Sequence, residues 1–313
     1  MLDSTIPRPQ PAAKAPKLVV QLIKTILNAS PSSSDEQPLN PLSPNDAIIA
    51  TRDLNSLSAL PNLVVQEINE ETRTEYTYGL QMRKELSMIY VTGDTHANID
   101  IAKLNTTKFP QQKELTKNDF VIICGDFGLC WDGSHREMWW QDWLTAKNFT
   151  TLWIDGNHEN FDMLYQFPLI DKFGGKVREI APDIYHLDRG QVLTIDGKKI
   201  FCMGGARSVD KEYRVEHISW WKEEMPSREE MERAITALEQ HNWCVDYVIT
   251  HCAPRSIQTL LASWYENDPM VSFLDRVCSD LTFKRWFFGH YHVDKQVNEQ
   301  FIALYNKVIP MEW

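Results

Sequence analysis

The stretch MIYVTGDTHAN, residues 88–98, decides the reading of this chain, because five residues suited to a buried strand run directly into a glycine, an aspartate and a histidine. Short apolar runs closed by turn residues suit strands covered on both faces. In open α/β sheets, the ends of such strands are where ligands bind. The pattern recurs four times. DFVII precedes GDFG at 125–128, TTLWI precedes GNHE at 156–159, DYVI opens onto THCAP at 250–254, and RWFF precedes GHYH at 289–292. Five chemistry-bearing turns are thus expected at one edge of a sheet.

Between these runs lie helical segments. The clearest spans 229–240 and opens with Ser227 and Glu230, a capping box in which each side chain satisfies the other residue's free backbone N–H. Two further strands are expected at 191–195 and 199–203, joined by the turn Asp196-Gly197 as a hairpin. Strands alternating with helices predict a layered α/β domain.

Of nine histidines, five sit inside the motifs: His96, His158, His251, His290 and His292. Asp94, Asp126 and Asn157 accompany them. Imidazole, carboxylate and amide without thiolate suit Mn, Fe, Zn, Co or Ni, whereas Ca and Mg favour all-oxygen shells. Mn is the leading expectation. The glycines let the backbone turn sharply and approach a ligand closely. His135, His186, His217 and His241 lie outside the motifs and are read as structural.

The five motifs in this order resemble those of the calcineurin-like metallophosphoesterases, whose pattern is D-x-H, G-D, G-N-H-[DE], a single H and G-H-x-H. Asp94 and His96 meet the first element, Gly125 and Asp126 the second, Gly156 to Glu159 the third, His251 the fourth, and Gly289 to His292 the fifth. The resemblance covers roughly residues 86–313 and is of the small bacterial and phage type. It implies an α/β/β/α sandwich of two mixed sheets with two divalent metals at the ends of the central strands. By that carry-over, Asp94, His96, Asp126 and His292 bind one metal, and Asp126, Asn157, His251 and His290 bind the other.

A phosphate ester resists hydrolysis because its negative oxygens repel a nucleophile and its alkoxide leaves poorly. Two divalent ions can clamp the phosphoryl oxygens and activate a water for in-line attack. His158, assigned to neither metal, is the candidate proton donor to the leaving oxygen, the role the resemblance also implies. The expected reaction is phosphomonoester hydrolysis. The alternatives are a phosphodiesterase or nuclease acting on nucleotides or nucleic acid and, more remotely, a binding scaffold without catalysis.

The chain departs from the serine/threonine protein phosphatases. Leu129 stands where their second motif carries an aspartate, and Asp155 where an arginine precedes GNHE. Arg207 and Arg214 are candidate replacements for the missing phosphate-gripping arginines, since a guanidinium takes two phosphate oxygens at once. Asp132 or Asp155 is a candidate to orient the ring of His158 or another ring. Trp131, Trp139, Trp140 and Trp143, with Trp220 and Trp221, are read first as packing residues and second as stacking platforms for a nucleobase.

A net charge of −11 argues against nonspecific grip on nucleic acid. The six cysteines show no C-x-x-C pairing and read as reduced thiols of a cytoplasmic protein. Residues 1–85 form a separate extension, partly disordered because its Pro/Ala and Ser/Pro/Asn stretches bury too little apolar surface. Within it, Leu18, Val19, Leu22, Ile23, Ile26 and Leu27 line one helical face, a candidate site for a protein partner. Gln21 and Lys24 interrupt that face too early for a membrane span.

Overall fold

The computed structural model describes residues 87–261 and 266–312. The expected N-terminal extension and its amphipathic helix lie outside the described residues. In chain order the strands are β1 (Ile89–Thr92), β2 (Phe120–Ile123), β3 (Thr150–Trp153), β4 (Leu169–Lys172), β5 (Gly175–Ala181), β6 (Ile184–Leu187) and β7 (Gln191–Ile195). They continue with β8 (Lys198–Met203), β9 (Tyr247–Thr250), β10 (Arg285–Phe288), β11 (Lys295–Gln296), β12 (Phe301–Ala303) and β13 (Val308–Pro310). The five strands expected before the motifs are β1, β2, β3, β9 and β10.

The strands form two mixed sheets, ordered β13-β1-β2-β3-β6-β5-β4 and β11-β12-β10-β9-β8-β7. In the first, β1, β2, β3 and β6 run parallel. In the second, β8, β9, β10 and β12 do so. Antiparallel strands close the edges, among them β13 on β1 and β7 on β8.

Side chains alternate across each strand, so one face of each sheet meets the other sheet and the opposite face meets helices. Val91, Ile122 and Leu152 of the first sheet pack with Ile200, Ile249 and Phe287 of the second in one shared core. Their neighbours Val121, Ile123 and Trp153 turn outward to Leu144 of the helix His135–Thr145. On the far side Phe201, Val248 and Trp286 meet the helices Arg228–Gln240 and Pro269–Asp280. Helix, sheet, sheet and helix therefore stack in four layers, as expected.

Local signals hold as well. Ser227 accepts from the Glu230 N–H while Glu230 accepts from the Ser227 N–H, so both halves of the capping box form. Asp196 and Gly197 both have positive φ, 51° and 72°, the geometry of a type I′ turn whose twist matches the strands it joins. Of the tryptophans singled out above, Trp220 and Trp221 are buried and Trp131 packs edge-on against Trp221, whereas Trp139 is exposed. All six cysteines are unpaired thiols. Among the described residues no helix is long and apolar enough to cross a membrane.

Candidate metal centre

The parallel strands β1, β2, β3, β9 and β10 end at one place, and the loops leaving them meet there. The first two loops are stitched by the N–H groups of Thr95 and His96, which donate to the Asp126 carbonyl at 3.0 and 2.8 Å. The Asp94 carboxylate accepts from the His290 N–H at 3.0 Å, joining the first loop to the last. Asp126 Oδ1 accepts from the His158 N–H at 2.8 Å, joining the second to the third. Such close approach requires glycine: a Cβ on Gly125 would overlap the His251 ring, and one on Gly289 would overlap the Asp94 carboxylate.

His96, Asp126, His290 and His292 all adopt left-handed backbone, with φ of 42°, 48°, 66° and 51°. Non-glycine residues reach that region only at a steric cost. Four of the eleven non-glycine residues in that region among the described ones are candidate ligands.

One ligand atom each from Asp94, His96, Asp126 and His292 lies within 4.8 Å of the others. His96 Nε2 is 3.3 Å from Asp126 Oδ2, and His292 Nε2 is 3.2 Å from Asp94 Oδ2. On the other side of Asp126, Oδ1 stands 3.4 Å from His251 Nε2, which is 3.1 Å from Asn157 Oδ1. The His290 ring lies 5.0 Å from that of His251. Asp126 thus faces both groups of side chains.

Electrostatics point the same way. Burial works to raise the Asp94 and Asp126 carboxyls, yet neighbouring imidazoles hold both below the ordinary carboxylate range, His292 and His251 for Asp94, and His251 with His96 for Asp126. Burial also disfavours charge on His96 and His251, but the carboxylates, Asp126 foremost, push these rings up to about 9 and about 10. Burial, reinforced by His251, pushes His290 down to about 3 and keeps it neutral. Two buried, ionised carboxylates therefore draw positive charge from whatever surrounds them.

The donor set passes a test for metal binding. His96 Nδ1 meets Asp100 Oδ2 at 2.8 Å, and His251 Nδ1 meets the Cys124 carbonyl at 2.7 Å. Each acceptor holds the outer ring nitrogen protonated and leaves Nε2 facing the carboxylates, the arrangement usual for metal-binding histidine. The residues fit divalent cations.

The remaining expected residues fall in different places. His158 is half-buried beside the cluster, its ring 5.9 Å from that of His96. Arg214 reaches it, with Nη1 3.0 Å from Nδ1, while its Nε pairs with Asp210 at 2.8 Å. Burial lowers the His158 pKa, and Arg214 lowers it further against the pull of Asp126. Arg207 instead pairs with exposed Glu266 at 2.7 Å. Of the two carboxylates expected to orient His158 or another ring, neither contacts His158, and Asp155 meets the ring of His186. Asp155 is buried against His186 at 2.9 Å and Arg189 at 2.7 Å, and Asp132 accepts from the Ser134 N–H at the entrance to a helix.

Several residues at the centre escaped the sequence reading. Asp100 is one. Lys103 is buried beneath the first loop and donates to the Asp94 carbonyl at 2.5 Å, with burial lowering its pKa to about 8. Glu159 accepts from the N–H groups of Phe127, Gly128 and Gly156 at 2.7, 3.2 and 3.3 Å, tying the second loop to the third. Position four after His96 was the available signal for Asp100; the partners of Lys103 come from distant parts of the chain.

The sequence matches the calcineurin-like phosphoesterase family model over residues 87–294. It is also 28% identical over 193 residues to lariat debranching enzyme A of Xenopus laevis, an alignment covering 54% of this chain and 33% of that protein. The chain therefore spans about a third of that relative's length.

Proposed function

Since the chain belongs to the calcineurin-like phosphoesterase family, and is thereby a metal-dependent phosphoesterase, we propose that it hydrolyses a phosphomonoester at a two-metal centre built around Asp126. The observation that carries this reading is Asp126 itself, which faces His96 with one carboxylate oxygen and His251 with the other. Asp94, His96, Asp126 and His292 would hold one ion; Asp126, Asn157, His251 and His290 would hold the second. Mn leads among the candidates, with Fe, Zn, Co and Ni also compatible with these donors. When bound, two such ions supply positive charge against the phosphoryl oxygens and an activated water.

The chain's own groups supply the rest. Asp100 and the Cys124 carbonyl fix the tautomers of His96 and His251, so neither ring has to reorient when it is needed. His158 is held by its backbone N–H on Asp126 and faces the guanidinium of Arg214. In this reading Arg214 grips a phosphoryl oxygen and His158 gives its proton to the leaving alkoxide. An arriving phosphate brings negative charge between the two and counteracts the depression of the His158 pKa. Arg207, the other candidate for a phosphoryl oxygen, is paired with Glu266. The unpaired thiols fit a reducing compartment such as the cytoplasm.

A second reading, cleavage of a phosphodiester in a nucleotide or nucleic acid, is favoured by the similarity to lariat debranching enzyme A. The two separate in a Mn-supplemented assay of a chromogenic phosphomonoester beside its bis-ester, each with a chelator control. Chelator-sensitive cleavage of the monoester alone is the expected result. Preference for the bis-ester would replace the first reading with the second.

A further inference from the structure

We propose that Ser208, together with Glu224, is a positioning residue that sets the amide of Asn157 for the second metal; this rests on the reading of Asn157 as a ligand. The loop leaving β8 brings Ser208 to the GNHE turn although 51 residues separate it from Asn157. Ser208 and Glu224 are buried, 3% and 1% exposed, so neither has solvent as an alternative partner.

The direction of each hydrogen bond follows from the groups available. Glu224 accepts from the Ser208 N–H at 3.0 Å and from the Ser208 hydroxyl at 2.5 Å. With its proton committed to the carboxylate, Ser208 Oγ has only lone pairs left. Asn157 Nδ2 lies 3.2 Å from that oxygen and can only donate. Asn157 Oδ1 is therefore turned the other way, toward His251 Nε2 at 3.1 Å, where an oxygen ligand is wanted. The flipped amide would set Nδ2 against His251 and carbonyl oxygen against hydroxyl oxygen.

Glu224 is itself anchored. Arg189 Nη2 donates to the carbonyls of Glu223 and Glu224 at 2.7 and 3.5 Å, and the same guanidinium binds Asp155, two residues before Asn157. The loop after β8 and the GNHE turn are thus gripped by one arginine, and the Glu224–Ser208–Asn157 chain spans the gap between them. Nothing in the five motifs indicates this chain, since Ser208 lies in the GGARS segment that follows β8.

The test is calorimetric titration of metal-free, full-length protein with Mn(II), comparing wild type, Ser208→Ala, Glu224→Gln and Asn157→Ala, with melting of each in chelator as a check of folding. Ser208→Ala removes the acceptor. Glu224→Gln keeps the volume but sets an amide N–H beside Ser208 Oγ, which turns the hydroxyl proton toward Asn157 and favours the flipped amide. Partners that orient a ligand typically contribute about 10- to 100-fold in metal affinity. Both variants are expected to weaken one of two Mn(II) sites by about that factor, leaving the other site and the metal-free melting temperature near wild type. Wild-type affinity at both sites in Ser208→Ala, with Asn157→Ala losing one ion, would overturn the positioning role alone. Two wild-type sites in Asn157→Ala would remove the assignment of Asn157 and the inference with it.

Discussion

Asp126 concentrates the account at the scale of single residues. Its two oxygens face different imidazoles, Oδ2 that of His96 and Oδ1 that of His251, one from each group of candidate ligands. Asp126→Asn, which keeps shape but loses charge, is expected to abolish hydrolysis and lower metal content, measured by elemental analysis after dialysis. His158→Ala is expected to keep its metal while kcat falls about 10²- to 10⁴-fold, the usual range for a lost proton donor; equal metal loss in both variants would contradict the role given to His158. The motif residues were legible because glycine, aspartate and histidine stand immediately after recognisable strands. Lys103, Ser208 and Glu224 were not, because their hydrogen-bond partners depend on which loops the fold brings together. Asp155 shows the same limit: nearness in sequence suggested the ring of His158, but the ring it meets is that of His186, 31 residues on, with Arg189 on its other oxygen.

At the scale of elements, the five strands before the motifs and the β7–β8 hairpin were readable, whereas β4, β5, β6 and the C-terminal strands β11, β12 and β13 were not. β1, β2, β3 and β9 each carry four apolar or β-branched residues with hidden faces. β4 and β5 read LIDK and GKVREIA, half-exposed and polar, and acquire strand geometry by pairing at a sheet edge. The Asp196-Gly197 turn offers a clean test, because nothing lies within 4 Å of a Cβ placed on Gly197. Any loss in Gly197→Ala then comes from forcing φ of 72° on a residue with a Cβ, about 1 kcal/mol in urea unfolding. Gly197→Asn should lose less, since asparagine tolerates that region. Arg189→Met is expected to destabilise by about 3 to 5 kcal/mol, because it removes the cation on the buried carboxylate of Asp155 and leaves it only His186. A loss below about 1 kcal/mol would mean that Asp155 finds another partner.

At the scale of the whole molecule, two sheets and their helices converge on one edge, and the chemistry sits where both sheets contribute strand ends. The first sheet brings Asp94, His96, Asp126 and Asn157; the second brings His251, His290 and His292. Neither sheet alone could complete either proposed metal site on the second side. The negative charge of the whole chain would not oppose an anionic substrate there once two divalent ions were bound, because their charge would outweigh that of the carboxylates proposed to hold them. All the candidate ligands and the groups that orient them lie within residues 87–313, so a chain shortened to that range is expected to match the full chain in metal content and in hydrolysis per site. The most direct measurement of the central claim is the metal content of the full-length protein after Mn loading and dialysis, read beside its chelator-sensitive hydrolysis of a phosphomonoester. The account predicts two ions per chain, with hydrolysis vanishing as they are removed and returning when Mn is restored. Hydrolysis that persists in excess chelator, or a chain that retains no metal after loading, would contradict it.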